Sequence, residues 1–137
     1  MLHKCKVEVR WGDMDAFGHV NNAAYLVLAQ EARIDFAWYS RKRAGLKPYF
    51  EDMVVARTEI DYILPIYRGG ISVDVEIWVE KISNSSFVMV YEISSEEGLH
   101  ARMKTVQVSV NMETKRARRI TDEEREFVMQ YYEPVAE

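Results

Sequence analysis

Two aspartates one residue apart, a glycine-histidine pair and two asparagines follow one another in Asp13-Met14-Asp15-Ala16-Phe17-Gly18-His19-Val20-Asn21-Asn22. A carboxylate can act on an acyl carbon as nucleophile, or on a water molecule as general base. The asparagines are competent N-caps for a helix, whose free N–H groups and dipole favour a developing negative charge. A carboxylate and a helix start converging on one carbonyl are the raw material of acyl transfer.

The elements that must position these residues are legible on either side. From Lys4 to Trp11, Cys5, Val7, Val9 and Trp11 alternate with Lys4, Lys6, Glu8 and Arg10, which predicts a half-buried strand. After the acidic turn, the long apolar segment Ala23 to Tyr39 predicts a helix from about Asn21 or Asn22 to Arg43. Its end is marked by Arg41, Lys42 and Arg43, then Gly45 and Pro48. Apolar residues on nearly every side mean that this helix must be wrapped. Gln30, Glu31, Arg33 and Asp35 interrupt the segment and argue against a membrane span.

The wrapping is expected from four strands. Val54, Ala56, Thr58, Ile60, Tyr62 and Leu64 form one face of the first, ended by Pro65 and Gly69-Gly70. Ile71, Val73, Val75, Ile77 and Val79 face inward on the second. Asn84-Ser85-Ser86 and Glu96-Glu97-Gly98 turn the chain into two more strands, Phe87 to Ser94 and Leu99 to Met112. Read as consecutive hairpins, these make a curved antiparallel sheet, hence an α+β fold over one domain, residues 1–137. Thr121-x-x-Glu124 is a capping box opening a short C-terminal helix with Phe127, Val128 and Tyr131. Long sheet edges invite pairing with a second copy, so a homodimer is expected, with a homotetramer as the larger option.

The formal charge is −4 and no basic face stands out, which sets nucleic acid aside as a partner. One cysteine, Cys5, makes no intrachain disulfide and no leader opens the chain, so a cytoplasmic location is expected.

The order of elements resembles the hot-dog fold, and Asp13-x-Asp15-Ala-x-Gly18-His19-Val20-Asn21-Asn22-x-x-Tyr25 is similar to the 4-hydroxybenzoyl-CoA thioesterase family. That resemblance implies an acyl-CoA thioesterase needing no metal, with coenzyme A as part of the substrate and no separate cofactor. It puts the catalytic carboxylate at Asp15 and the carbonyl-polarising backbone N–H groups at Val20, Asn21 and Asn22. Some members carry a histidine where this chain has Asn22, so His19 receives no catalytic role and is read as a substrate contact or as an orienter of the loop.

Other residues have competing readings. Asp15 alone would equally be a turn former, and Asp13 is read as a structural acceptor. Gly18 serves the turn through positive φ or through close approach of backbone to substrate. Phe17, Tyr25 and Trp38 would line an acyl pocket or simply fill the core. Ser85 and Ser86 are an ordinary turn or a contact for the pantetheine arm. Arg116 and Arg118, in the basic run 115–119, meet coenzyme A phosphates or balance an acidic surface. The rival functions are a hot-dog hydratase or dehydratase, and a non-catalytic acyl-thioester-binding dimer.

Overall fold

The computed structural model describes residues 1–135. Strand β1 (His3–Glu8) leads through a single 3-10 turn (Trp11–Asp13) and an acidic loop to helix α1 (Ala24–Ile34). The helix continues through a π-helical turn (Asp35–Tyr39) into α2 (Ser40–Arg43). Strands β2 (Met53–Tyr62), β3 (Ser72–Ile82), β4 (Ser86–Ser95) and β5 (Gly98–Asn111) follow, then the short β6 (Arg116–Ala117) and helix α3 (Asp122–Met129).

The wrapped-helix, hot-dog architecture is as expected, but its strand order is not a four-stranded meander. Only β3, β4 and β5 are joined as successive hairpins. The sheet runs β1–β3–β4–β5–β2, so β2 sits on the far edge against β5, and residues 63–71 carry the chain back across the sheet to β3. Pro65 and the Gly69-Gly70 turn suit that crossing as well as they suit a tight hairpin, which is why spacing alone did not separate the two.

Inward residues Val73, Val75, Ile77 and Val79 of β3 meet Phe87, Met89, Tyr91 and Ile93 of β4, and these close on Leu28, Ala29, Ala32 and Phe36 of the helix. Each of the larger of these side chains contributes roughly 1.5–3 kcal/mol through removal from water. The alternation read for β2 breaks at a bulge between Val55 and Arg57. Val55 pairs with Gln107, while beyond the bulge Thr58 pairs with Thr105, so Met53 and Val55 face inward and not Val54 and Ala56. Trp11, expected inward on the first strand, is instead 78% exposed, because β1 has already given way to the 3-10 turn.

The helix ends as its sequence predicts. Gly45 has φ +74°, Leu46 N–H donates to the Arg41 carbonyl at 2.8 Å, and Gly45 N–H donates to that of Lys42 at 3.0 Å. Interior regularity is lost at the π turn, where Ser40 N–H reaches back to the Asp35 carbonyl. One residue of extra register there rotates the side chains that follow. The C-terminal capping box is present: Thr121 Oγ1 accepts from Glu124 N–H at 3.1 Å, and Glu124 Oε1 from Thr121 N–H at 2.9 Å.

Candidate functional site

The acidic loop is a small hairpin closed on itself. Asp15 N–H donates to the His19 carbonyl at 2.9 Å and Gly18 N–H to the Asp15 carbonyl at 3.2 Å. Gly18 has φ +83°, and a Cβ there would meet nothing within 4 Å, so backbone conformation and not close approach is what requires glycine. Asp15 serves both readings. Its Oδ1 accepts from Phe17 N–H at 2.8 Å, the turn-forming bond. Its Oδ2 has His19 Nδ1 at 3.6 Å.

Asp13 is buried beneath the loop, where Arg10 donates from its backbone N–H at 2.9 Å and from Nη2 at 3.0 Å. Burial opposes the charge, but the bonds from Arg10 outweigh it and hold the carboxyl below its ordinary value. Stability from this group is present above the ordinary carboxylate pKa and lost as pH falls through the lowered one. The melting temperature is expected to be flat near neutrality and to fall below about pH 4, with a shallower fall in Asp13→Asn. An unchanged acid slope in that variant would show that Asp13 is not among the groups responsible.

The helix start supplies fewer free amides than the resemblance implied. Val20 N–H is bonded to the Ile66 carbonyl at 2.8 Å and Asn21 N–H to that of Asp13 at 2.8 Å, so neither is available to a substrate oxygen. Asn21 closes an Asx turn ahead of the helix, its Oδ1 accepting from Ala23 N–H at 2.9 Å, while Ala23 itself stands at the N-cap position with no side-chain cap. Among the described residues, only Asn22 of the three retains a partnerless backbone N–H.

Asp15, Phe17, His19, Val20, Asn22 and Tyr25 line one side of a cleft of about 440 Å³, and Tyr62, Ile63, Leu64 and Pro65 line the other. Sequence reading missed that second wall, having taken Tyr62 to Pro65 only as a strand end. Tyr62 hydroxyl donates to the Asn22 carbonyl at 2.9 Å, and its ring meets Tyr25 edge-on at 5.2 Å. His100, buried at the start of β5, fixes the same wall, its Nδ1 lying 2.8 Å from the Leu64 carbonyl and its Nε2 2.6 Å from Ser95 Oγ. Tyr25 is buried, whereas Phe17 is 85% exposed at the rim.

Ser85, Ser86 and Arg116 lie at the opposite end of the sheet. Ser86 pairs with Val108, whereas Tyr62 pairs with Ala101. At strand spacing the two are more than about 20 Å apart within one chain. The Arg118 guanidinium is engaged within the chain. It donates to Asp52 at 2.7 and 2.9 Å and to Glu124 at 2.9 and 3.0 Å. Those bonds raise its pKa and hold the Asp52 carboxyl below its usual range, and Glu124 too despite its burial.

Another concavity, of about 750 Å³ between residues 47–52 and the start of α3, carries Glu51, Asp122 and Glu123 on its walls. That charge suits an anionic coenzyme A ester poorly, and the Asp15 carboxylate is not in it. Donor atoms of His3, Cys5 and Asp35 lie within 4.8 Å of one another. They make a poor cation site: Arg43 already pairs with Asp35 at 2.8 Å, and burial pushes the Cys5 thiol up to about 11, keeping it protonated.

The family model of the thioesterase-like superfamily matches residues 9–128. No curated protein matches the sequence. Among solved structures, a predicted thioesterase from Bacillus stearothermophilus superposes with a TM-score of 0.83 at 24% identity, over 99% of this chain and 100% of that one. A thioesterase from Thermus thermophilus, complexed with coenzyme A and Zn, superposes with a TM-score of 0.76 at 28% identity, over 93% and 92% of the two chains.

Proposed function

This chain belongs to the thioesterase-like superfamily, and on that footing we propose that it hydrolyses an acyl-CoA to free acid and coenzyme A, with Asp15 as the catalytic carboxylate. One observation carries the reading: Asp15 and Asn22, the latter with a backbone N–H that has no partner among the described residues, line the same cleft. A thioester carbonyl set between them meets Asp15 Oδ2 at its carbon and the Asn22 N–H at its oxygen. Charge develops on that oxygen in the transition state, and a fixed amide in a water-poor cleft stabilises it more than water would. Asp15 either attacks the carbon, forming an anhydride that water opens, or takes a proton from the attacking water. The Phe17 bond to Oδ1 fixes the carboxylate plane in both cases. No cofactor is required beyond the coenzyme A of the substrate, and the coenzyme A complex of the Thermus thermophilus relative supports that choice of leaving group.

The working unit we propose is a homodimer joined through β2. That strand is a free edge, exposed along most of its length, with Val54 and Val55 at 46% and 43% exposure. Two-fold antiparallel pairing there sets the Met53 end of one copy beside the Tyr62 end of the other. The partner's Ser85, Ser86 and Arg116 then approach the cleft that they are too distant to serve within one chain. Light scattering is expected to give twice the 16.0 kDa chain mass, or four times for a tetramer. In a free-thiol assay, a panel of short, long and aromatic acyl-CoAs should show turnover. A monomer would remove the shared site, and hydration of an enoyl-CoA without thiol release would replace hydrolysis with the hydratase reading.

A further inference from the structure

A second cavity, of about 140 Å³, lies under the π turn, between Arg33, Ile34, Phe36, Ala37 and Trp38 on the helix side and Phe50, Met53, Val55, Phe87, Met89 and Gln107 opposite. Most of its wall is apolar, but a polar ladder runs along it. Arg33 Nη1 donates to the Tyr91 hydroxyl at 3.2 Å, that hydroxyl lies 2.7 Å from Thr105 Oγ1, and Gln107 Nε2 donates to Thr105 Oγ1 at 2.9 Å. Tyr91, Thr105 and Gln107 are all almost wholly buried.

Two members of this ladder are under-used. The half-buried Arg33 guanidinium has no carboxylate partner among the described residues, whereas Arg10, Arg43, Arg102 and Arg118 each have one. Gln107, 2% exposed and facing the cavity, spends one amide hydrogen on Thr105, and its second hydrogen and Oε1 have no partner among the described residues. Neither group is sealed off, since Glu80 Oε2 is the buried side-chain atom left without a partner among the described residues; both open onto the cavity, where a ligand can bond them. An uncompensated guanidinium with a neighbouring amide N–H is matched best by a carboxylate, which accepts from several N–H groups at once.

We propose that this cavity receives the far end of the acyl group and that the acyl group ends in a carboxylate, making the substrate a dicarboxylic acid mono-CoA thioester. Resting on the thioesterase reading, the assignment deepens it. The cavity has room for about five groups of the size of water, which fits a short chain. Within one chain it is separated from Asp15 by the length of α1, roughly 15 Å at helical rise. Across a two-fold at β2, however, the inward-facing Met53 and Val55 on its rim approach the partner's cleft at Tyr62. The thioester is thus held at Asp15 of one copy while its tail enters the cavity of the other.

The test compares adipyl-CoA, which carries a terminal carboxylate, with hexanoyl-CoA, its neutral counterpart of equal chain length. Wild-type protein is expected to prefer adipyl-CoA in kcat/KM by about tenfold or more, the worth of a charge-assisted hydrogen-bond pair. In Arg33→Met that ratio should fall to about one, and in Gln107→Leu it should fall partway, with circular dichroism confirming that each variant is folded. The same pair of ligands is titrated calorimetrically into Asp15→Asn protein, so binding is read without turnover. Selective binding of adipyl-CoA with no hydrolysis by wild type would leave the carboxylate pocket standing and overturn the thioesterase reading. Equal kcat/KM for the two esters, or an unchanged ratio in folded Arg33→Met, would overturn the pocket while leaving the hydrolase intact.

Discussion

Asp15→Asn is expected to lower kcat/KM for the best acyl-CoA by about three orders of magnitude, equivalent to about 4 kcal/mol of transition-state stabilisation. The substitution is close to isosteric. Asparagine Oδ1 can still accept from Phe17 N–H, so the loop and its two backbone bonds, Asp15 to His19 and Gly18 to Asp15, need not move. Only the charge and basicity of the second oxygen are lost, the properties that attack on a carbonyl or on water requires. The melting temperature should therefore stay within about 2 °C of wild type, since the one turn bond that this side chain makes, worth on the order of 1 kcal/mol, is kept. Asp15→Glu provides the geometric counterpart: it keeps the charge but displaces it by one methylene and abandons the short turn, so activity should fall with charge intact. Single turnover in ¹⁸O-water identifies an anhydride opened at the aspartyl carbon, which labels the Asp15 carboxylate and leaves the released acid unlabelled, whereas water delivered directly to the thioester carbon labels only the released acid. Retention of a tenth or more of wild-type kcat/KM by folded Asp15→Asn would remove Asp15 from the chemistry.

Much of this arrangement is legible before any coordinates because local pattern and tertiary role agree. The Lys4 to Glu8 part of the first alternation, the apolar helix closed by Gly45, and the Thr121–Glu124 box each carry their reason within a few residues. What is not legible is set by partners distant in sequence. Placement of β2 beside β5 depends on which edge is open when the sheet closes, and periodicity does not report it. The bulge at Val55/Arg57 reverses facing within one strand, so a faultless period-2 reading assigned Val54 and Ala56 to the wrong side. At the site, the resemblance singles out Asp15 but cannot say which helix-start amides are already committed. Val20 and Asn21 lose theirs to the carbonyls of Ile66 and Asp13, the first a residue of the crossing that sequence reading left undescribed. Tyr62 and His100 carry no motif at all, and their roles arise from where the second wall of the cleft passes.

Arg118 carries the same lesson, with the largest expected effect on stability. Arg118→Met should destabilise the fold by about 2–4 kcal/mol, seen as a fall of about 10 °C in the melting temperature at neutral pH. The guanidinium ties three segments distant in the chain: Asp52 ahead of β2, its own position after β6, and Glu124 in the first turn of α3. Its removal leaves two carboxylates facing each other, and the one on Glu124 is only 8% exposed, where an unneutralised charge is costly. Methionine occupies comparable volume, so the loss reports charge and hydrogen bonds more than packing. The sign with pH follows from the direction of the shifts. Asp52 and Glu124 are held below their ordinary values, so the arginine stabilises above the ordinary carboxylate range, and its contribution vanishes as pH falls and both groups protonate. The gap between wild type and variant should therefore be widest near pH 7 and narrow steadily below about pH 4. Turnover discriminates this role from the phosphate-binding one that the basic run suggested. A structural Arg118 leaves the KM for acyl-CoA unchanged at temperatures where the variant is folded, whereas a phosphate ligand would raise KM and make that rise salt-dependent. A tenfold higher KM in Arg118→Met with an unaltered melting temperature would return Arg118 to the substrate.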